Sequence, residues 1–421
     1  MSTSSKSSLV STLILGTLFF IFGFITWLNG TLIPYLKIAC ELNNFQSLFV
    51  AFAFYISYFV MALPSSWILQ KTGFKKGMML GLFIMAIGAL LFVPAAQGRI
   101  YSLFLTGLFI IGTGLSLLQT ASNPYITIIG PIESAAKRIS IMGICNKVAG
   151  VLAPIILGAV ILSDADTLVN SLKLLDETQK NIQLDELASR VIFPYSLMSF
   201  SLVILGVLIR FSPIPEIELT QEEETHININ ESKTSALHFP NLMLGVMSMF
   251  LYVGVEVMAG DTIGSFGQSQ GIALSEAKNF ASFTLAAMVL GYIIGILAIP
   301  KYISQAKALS ASAVTGILFS FLAIYTHGYT AVLFIALLGL SNALVWPAIW
   351  PLALTGLGKF TKTGSALLIM SIAGGALLPL IYGFLADMPT IGSQMAYWVM
   401  IPCYLFMLYY SLKGHKLTSW K

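Results

Sequence analysis

Long apolar stretches, separated by short polar or Gly/Pro-containing breaks, follow one another along nearly the whole chain. Each stretch is long enough to form a helix of ~20 residues, the length that crosses the ~30 Å hydrocarbon core of a bilayer. The pattern therefore predicts an all-α membrane protein. The twelve predicted transmembrane helices lie at about residues 9–36, 45–70, 77–97, 100–130, 139–163, 191–211, 239–267, 277–299, 307–326, 330–356, 364–386 and 393–412.

The composition supports this prediction. Of the 421 residues, 57% are hydrophobic and only 10% are charged, whereas a soluble chain carries about 25% charged residues. The first apolar run, from Leu9 to about Leu28, is longer than the apolar region of a signal peptide. No small-residue cleavage motif follows this run. We therefore expect it to be a retained first helix.

Basic residues are distributed unevenly between the loops on the two sides of the predicted bundle. With both termini in the cytoplasm, 15 Lys and Arg residues lie on the cytoplasmic side and 6 on the outer side. This is the asymmetry that the positive-inside rule describes. It also accounts for the net charge of +4, so we expect the lipid bilayer, and not a nucleic acid, to be the partner of these charges.

An internal repeat divides the chain into two similar halves. Duplicated halves are common among membrane transporters. The predicted organisation is a six-helix half at 1–211, a polar, acidic cytoplasmic linker at 212–238 and a second six-helix half at 239–421, with a short external amphipathic helix within 164–190. An offset of 225 residues places the sequence GLS at 114–116 on GLS at 339–341, and Gly150, Leu152, Pro154 and Gly158 on Gly375, Leu377, Pro379 and Gly383.

Few polar side chains lie deep in the predicted spans, and such residues usually face a cavity or a partner. Lys147 lies roughly 13 Å into span five at 1.5 Å per residue. In span four, Gln119 and Asn123 share one helical face, because they are four residues apart. These amides, together with Asn29, Trp27 and Asn146, are candidate substrate contacts, although interhelical packing would equally account for a single amide.

Span ten carries an amide and two indoles on one face. Asn342, Trp346 and Trp350 follow i, i+4, i+8 spacing. Aromatic faces can stack on the C–H faces of a sugar while amides bind its hydroxyl groups, and such mixtures line ligand pockets in general. Asn342 and Trp346 are therefore candidate substrate contacts, while Trp350 also fits an interfacial aromatic belt.

Carboxylates are rarer still within the spans. Glu256 and Asp261 lie in span seven, and Asp387 is predicted at an external helix end. Lys147, Glu256 and Asp261 are the candidate coupling groups. Counting residues puts Glu256 roughly 25 Å from the cytoplasmic start of its span, against roughly 13 Å for Lys147. This difference argues against a direct ion pair.

Other chemistry is not indicated. The chain has no phosphate-binding Gly-rich loop, no His/Cys metal-ligand spacing and no nucleophile–base grouping. The three cysteines, Cys40, Cys145 and Cys403, do not form a disulfide pattern. We therefore expect neither an enzyme nor an ATP-driven pump, and no cofactor or bound metal.

Four segments resemble the fucose–proton symporter family of the major facilitator superfamily, which includes bacterial glucose/galactose transporters. They are FFIFGFITWLNGTLIPYLK, FYISYFVMALPSSWILQKTGFKKGMMLGL, LLQTASNPYITIIGP and FLYVGVEVMAGDTIGSFG. The resemblance implies the twelve-helix fold of that superfamily. It also implies secondary or facilitative transport of a monosaccharide, a hexose or deoxyhexose, across the bacterial inner membrane by alternating access.

Two departures from the family concern its acidic positions. Members typically carry an aspartate where this chain has Gly30 and a glutamate where it has Gln119. The resemblance assigns proton coupling and sugar contact to those acids. We therefore expect weak or absent proton coupling, with coupling through Glu256 as the alternative. A proton, a sodium ion or no ion at all stay open as the coupling partner.

The GFKKG loop after span two is a candidate gate between the halves. Gly73 permits a tight turn, and Lys75 and Lys76 are expected to contact the other half in one state. A topogenic charge cluster is the alternative. We expect a monomer. Because a fold does not fix a function, a lipid or amphiphile transporter and a membrane sensor are the competing functions.

Overall fold

The computed structural model describes residues 3–128, 135–172, 174–212, 235–299 and 301–420. Side-chain surroundings are described for these residues except 3–12, 123–128, 135–140, 165, 359 and 362. The central part of the linker predicted at 212–238 and the side chain of Asn123 therefore lie outside the described part.

The described residues of the N-terminal half form eleven helices, because several spans break into two segments. Leu and Ile are the most frequent residues in these helices, and internal prolines are tolerated within a membrane bundle. The helices are α1 (Thr3–Trp27), α2 (Asn29–Ala39), α3 (Asn44–Ser47), α4 (Phe49–Thr72), α5 (Phe74–Leu90), α6 (Phe92–Gln97), α7 (Tyr101–Ile128), α8 (Ala135–Ile161), α9 (Ala165–Leu172), α10 (Glu177–Ser189) and α11 (Ile192–Phe211).

The described residues of the C-terminal half also form eleven α-helices. They are α12 (Pro240–Asp261), α13 (Ile263–Ser269), α14 (Leu274–Ala277), α15 (Phe280–Ala298), α16 (Gln305–Tyr325), α17 (Gly328–Asn342), α18 (Val345–Leu354), α19 (Thr361–Met370), α20 (Gly374–Ala386), α21 (Gly392–Met395) and α22 (Met400–Leu412). Short 3₁₀ turns at Ala236–His238, Gly358–Phe360, Ser371–Ala373, Ala396–Val399 and Gly414–Lys416 complete the described secondary structure.

Twelve segments of the described part are long and apolar enough to cross a membrane, which agrees with the predicted number. They are α1–α2, α3–α4, α5–α6, α7, α8, α10–α11, α12, α14–α15, α16, α17–α18, α19–α20 and α21–α22. An even number of spans puts both termini at one end of the bundle. We call this end the terminal end and the opposite one, which carries α3, α9, α10 and α14, the distal end.

The segment 164–190 differs from its prediction as one helix. It forms two helices, α9 and α10. Asp176 is the N-cap of α10, because its side chain accepts a hydrogen bond from the backbone N–H of Gln179. Asp and other short polar residues favour such N-cap positions. The segment therefore contains a second helix start within its polar sequence.

Glycines allow close helix packing inside the N-terminal half. A Cβ added at Gly81 would lie 2.7 Å from the carbonyl oxygen of Gly114, and one at Gly88 would lie 2.7 Å from that of Gly107. Both pairs join α5 to α7. Membrane helices associate through such small residues, because burial of apolar surface cannot drive association within lipid.

Three of the contacts between the halves involve the membrane-spanning segments. Helix α8 packs against α15, α4 packs against α20, and α2 packs against α12 and α13. Side-chain hydrogen bonds join the halves toward the distal end, where Lys278 Nζ donates to Leu162 O at 2.7 Å and Ser275 N donates to Asp166 at 3.2 Å. The distal end is therefore closed.

Candidate functional site

An ion pair joins the two halves in the middle of the bundle. Lys147 Nζ on α8 lies 2.6 Å from Glu256 Oε1 on α12. The two side chains are only 11% and 9% exposed, so each charge is compensated by the other and not by water. A buried pair of this kind is costly to break, because one uncompensated charge remains.

This contact corrects the expectation against a direct pair. The depth count began α8 at residue 139, whereas the helix already includes Ala135. From Ala135, Lys147 lies roughly 18 Å along its helix, and Glu256 lies roughly 24 Å from Pro240, at 1.5 Å per residue. A lysine side chain covers the remaining difference.

The indole of Trp27 lies beside this pair. Lys147 Nζ is 4.5 Å from the centre of the ring, a distance at which a cation is attracted to the face of an indole. Two glycines make room for the ring. A Cβ would lie 2.6 Å from Trp27 Cδ1 if added at Gly150, and 2.4 Å from Cζ3 if added at Gly260. Trp27 thus fills a slot between α8 and α12.

Tyrosines surround Glu256. The side chains of Tyr55, Tyr252, Tyr292 and Tyr404 all lie within electrostatic range of its carboxylate. They come from α4, α12, α15 and α22, so both halves contribute. The sequence analysis did not identify Tyr55, Tyr292 and Tyr404 as site residues. A tyrosine within an apolar run is typical of a packed core. The only sign of another role was a hydroxyl group inside a predicted span.

Two of the predicted amides extend this cluster. Gln119 Nε2 donates to the hydroxyl group of Tyr58 at 3.1 Å, and Tyr58 lies within electrostatic range of Tyr55. Tyr404 donates to Asn342 Oδ1 at 2.8 Å. The structure therefore connects Gln119 and Asn342 to the central tyrosines from opposite halves.

The remaining predicted contacts lie in different surroundings. Asn146 Nδ2 donates to the backbone oxygen of Phe19 at 3.4 Å, so it contacts α1 within its own half. Trp346 is half-buried and stacks on Trp350, with ring centres 5.6 Å apart. A break between α17 and α18 separates both indoles from Asn342. The predicted single face thus spans two helices.

Two buried donors beside this cluster have no partner among the described residues, Trp27 Nε1 next to Lys147 and Asn342 Nδ2 on the amide that binds Tyr404. Asn29 Nδ2 on α2 and Ser116 Oγ on α7 are also buried without a partner there. Buried polar groups are nearly always hydrogen-bonded in native proteins. Unpaired donors beside aromatic rings are suited to an incoming ligand with many hydroxyl oxygens.

Asp261 is the other carboxyl group near the centre. It is completely buried, and neither of its carboxyl oxygens has a hydrogen-bond partner in the described part. A Cβ added at Gly30 would lie 3.7 Å from Asp261 Oδ1. The two positions therefore face each other across the interface between the halves.

The predicted gate has a contact within its own half. Gly73 adopts a φ of 76° between α4 and α5, which a glycine tolerates. Lys75 Nζ donates to the backbone oxygen of Ser212, just after α11, at 2.6 Å. Lys76 is exposed. This conformation thus attaches the loop to the end of α11.

The distal end has a specific polar closure. The carboxylate of Asp387, after α20, accepts hydrogen bonds from Asn44 N at 3.1 Å, Asn44 Nδ2 at 2.6 Å and Phe45 N at 2.7 Å. Lys37 Nζ donates to Asn44 Oδ1 at 2.6 Å and completes the network. These bonds connect the start of the second span to the end of the eleventh, as expected for an Asp387 at a helix end.

This arrangement of twelve spans in two halves around a buried polar centre is that of a membrane transporter. The sequence profile of the Major Facilitator Superfamily matches residues 15–379, and the chain belongs to this superfamily. It is a transporter and not an enzyme.

Two relatives and one solved structure match over almost their full length. A glucose/galactose transporter of Brucella abortus is 36% identical over 403 residues, which cover 95% of this chain and 92% of that protein. The L-fucose-proton symporter of Escherichia coli K12 is 28% identical over 91% of this chain and 88% of its own. The crystal structure of the transporter FucP in the outward conformation matches with a TM-score of 0.73 and 26% identity, and the match covers 98% of this chain and 100% of that one.

Proposed function

We propose that this protein carries a monosaccharide, a hexose or deoxyhexose, across the bacterial inner membrane by alternating access. The names of the relatives support the substrate class. The observation that carries the proposal is a pair of buried donors without partners in the described part, Trp27 Nε1 beside Lys147 and Asn342 Nδ2 on the amide bound by Tyr404. A sugar presents hydroxyl oxygens to such donors and C–H faces to aromatic rings.

The proposed binding site lies between the halves. Trp27 and Asn29 contribute from the first span, Gln119 from the fourth and Asn342 from the tenth. Trp346 would line the approach from the C-terminal half, and Asn123 and Asn146 would contribute polar contacts from the N-terminal half. A site composed of both halves is exposed to one side of the membrane at a time when the halves rock about it.

The charge asymmetry of the loops supports a cytoplasmic location of both termini. The distal end then faces the outside, and its closed state prevents exchange of sugar with that side. The outward conformation of FucP is the complementary state on the same fold. We further propose that the transporter acts as a monomer.

Counterflow in proteoliposomes tests this proposal. Purified protein is reconstituted with unlabelled hexose inside, and uptake of labelled glucose, galactose and fucose is followed. We expect transient accumulation of at least one of them, and stabilisation of the purified protein by the same sugar. Absence of both effects for all hexoses, together with movement of labelled lipid between leaflets, would support a lipid transporter instead.

A further inference from the structure

Asp261 stands apart from the ion pair and from the unpaired donors. It is the last residue of α12, its side chain is fully buried, and both oxygens are without a partner among the described residues. An ionised carboxylate in such a place loses its hydration without compensation. The side chain is therefore compatible with this conformation in its neutral, protonated form.

The opposite half supplies part of the cover over Asp261. The added Cβ at Gly30 lies 3.7 Å from Asp261 Oδ1, and Gly30 belongs to α2 of the N-terminal half. Helix α2 packs against α12 and α13. Opening of the distal end would withdraw α2 from Asp261 and expose the carboxyl group to water. Its burial thus depends on distal closure.

The titratable groups near Asp261 in the described part of the chain do not include a counterion for its carboxylate. Glu256 on its own helix and Tyr55 on α4 lie within electrostatic range. The segments α2 and α15 present Gly30 and Ala281 at this position. The ammonium group of Lys147 is paired with Glu256. Ionisation of Asp261 in the closed state would therefore leave an uncompensated buried charge.

We propose that Asp261 is the proton-binding site that couples this transporter to a proton gradient. This inference rests on the proposed transport function. With the distal end open, the carboxylate takes a proton from water on that side and forms an O–H bond. Closure then buries the neutral acid. After the sugar has left, the O–H bond breaks and the proton passes to water that enters from the terminal end. The uncompensated carboxylate then favours reopening of the distal end by the empty carrier.

The assignment separates two tasks among the acids of α12. Glu256 forms the ion pair with Lys147, whereas Asp261 has no such partner among the described residues and changes its charge when the halves move. It departs from the sequence expectation of weak or absent coupling, since the chain retains a carboxyl group between the halves. One proton per distal closure is the resulting stoichiometry.

The test compares sugar exchange with proton movement in the same proteoliposomes. An internal pH dye reports protons while labelled hexose reports transport. We expect the wild type to carry protons inward with hexose. Asp261→Asn, which mimics the protonated acid, should keep hexose counterflow and lose both proton movement and accumulation driven by a pH gradient. Asp261→Glu should retain coupled proton movement.

Glu276→Gln is the matched control, because Glu276 is an exposed carboxylate of the same half and should leave coupling unchanged. Counterflow without proton movement in the wild type would overturn the inference but leave the proposed function intact. Proton movement that persists in Asp261→Asn, or accumulation driven by sodium alone, would overturn it as well. Absent counterflow in the wild type would instead reject the transport proposal.

A second measurement covers the possibility that Asp261→Asn does not fold. Ser47 is buried near Thr262 and Tyr382 of the opposite half. In a protein whose Cys40, Cys145 and Cys403 are replaced by serine, an impermeant maleimide labels the thiol introduced by Ser47→Cys and, in a separate variant, the thiol introduced by Ser189→Cys at an exposed position of α10. Every thiol reacts faster as pH rises because its thiolate fraction grows, so the ratio of the two rates is compared. Ionised Asp261 favours the open distal end, so this ratio should rise with pH. A ratio that does not depend on pH would overturn the inference.

Discussion

Lys147 and Glu256 connect the two halves of the transporter through a contact of 2.6 Å in the middle of the membrane-spanning bundle. Because α8 and α12 lie in different halves, any rocking motion must either pivot about this pair or break it. The short contact and low exposure favour a pivot, since separation would leave two buried charges uncompensated.

The first prediction concerns this pair. Lys147→Met and Glu256→Gln should each destabilise the protein by roughly 3–5 kcal/mol, because either leaves one buried charge without its partner. The double variant Lys147→Met/Glu256→Gln should recover much of that loss. Thermal unfolding of the purified protein in detergent measures the effect. Additive losses in the double variant would contradict a direct pairing.

The second prediction concerns the slot of Trp27. Gly150→Ala would place a methyl group 2.6 Å from Trp27 Cδ1, so the indole must move away from Lys147. We expect destabilisation of about 1–3 kcal/mol from overpacking and weaker hexose binding, measured by unfolding and by ligand-induced stabilisation. Gly158→Ala on the same helix is the control, because its added Cβ meets Lys278 Cδ at 3.6 Å, an ordinary contact. Equal effects of both variants would argue against the slot.

The third prediction concerns the proposed sugar contacts. Gln119→Ala and Trp346→Ala should each weaken hexose binding by ~1–3 kcal/mol, the scale of a lost stacking or hydrogen-bond partner. Titration of purified protein with the sugar identified by counterflow measures the affinities. Trp398→Ala removes an indole that is 40% exposed and should leave the affinity unchanged. Unchanged affinity for the sugar in both Gln119→Ala and Trp346→Ala would refute the proposed binding site.

The number of spans and the membrane location followed from hydrophobicity, because each apolar run is long enough to span a bilayer. Which polar residues meet did not follow. The pairing of Lys147 with Glu256 depends on where α8 starts and on how two helices of different halves approach, and neither is local. The tyrosines around Glu256 were hidden because their rings are as apolar as the core and only the hydroxyl groups are polar.

Gly30 illustrates the same limit. The resemblance to the symporter family implied that an acid is missing there. Gly23 and Thr31 also align weakly with Gly254 and Thr262 at an offset of 231 residues, which pairs Gly30 with Asp261. In the fold these two positions face each other at 3.7 Å between the added Cβ and Oδ1. Only the three-dimensional arrangement indicates that a carboxyl group from the other half reaches the space beside Gly30.

The fourth prediction concerns the distal closure. Asp387→Asn replaces one accepting oxygen by an amide group, so a hydrogen bond from Asn44 or Phe45 is lost. We expect the open state to gain roughly 1 kcal/mol and the thiol introduced by Ser47→Cys to react faster with maleimide. Asp176→Asn is the control, since Asp176 also accepts from a backbone N–H but within one half. Unchanged labelling in Asp387→Asn would show that this network does not hold the halves together.

The last prediction concerns the loop between α4 and α5. With the distal end closed, Lys76 is exposed and Lys75 is bound to Ser212 O. We expect Lys76 to contact the C-terminal half when the terminal end closes, and Lys75 to do so by giving up its bond to Ser212 O. Replacing Lys75 and Lys76 together by Gln should slow hexose transport, because the closed terminal state loses its contacts. Equilibrium binding of the sugar should remain nearly unchanged, since the proposed site lies in the middle of the bundle.

The double variant Lys301→Gln/Lys307→Gln is the matched control for the loss of two positive charges. Both residues are exposed and lie between two spans at the terminal end, so this variant removes the same number of positive charges from that side. If orientation in the membrane were the only role of the loop, both double variants would lower the amount of correctly inserted protein and leave the rate per inserted molecule unchanged. A slower rate per molecule in the Lys75/Lys76 variant alone, with intact binding, identifies the gate.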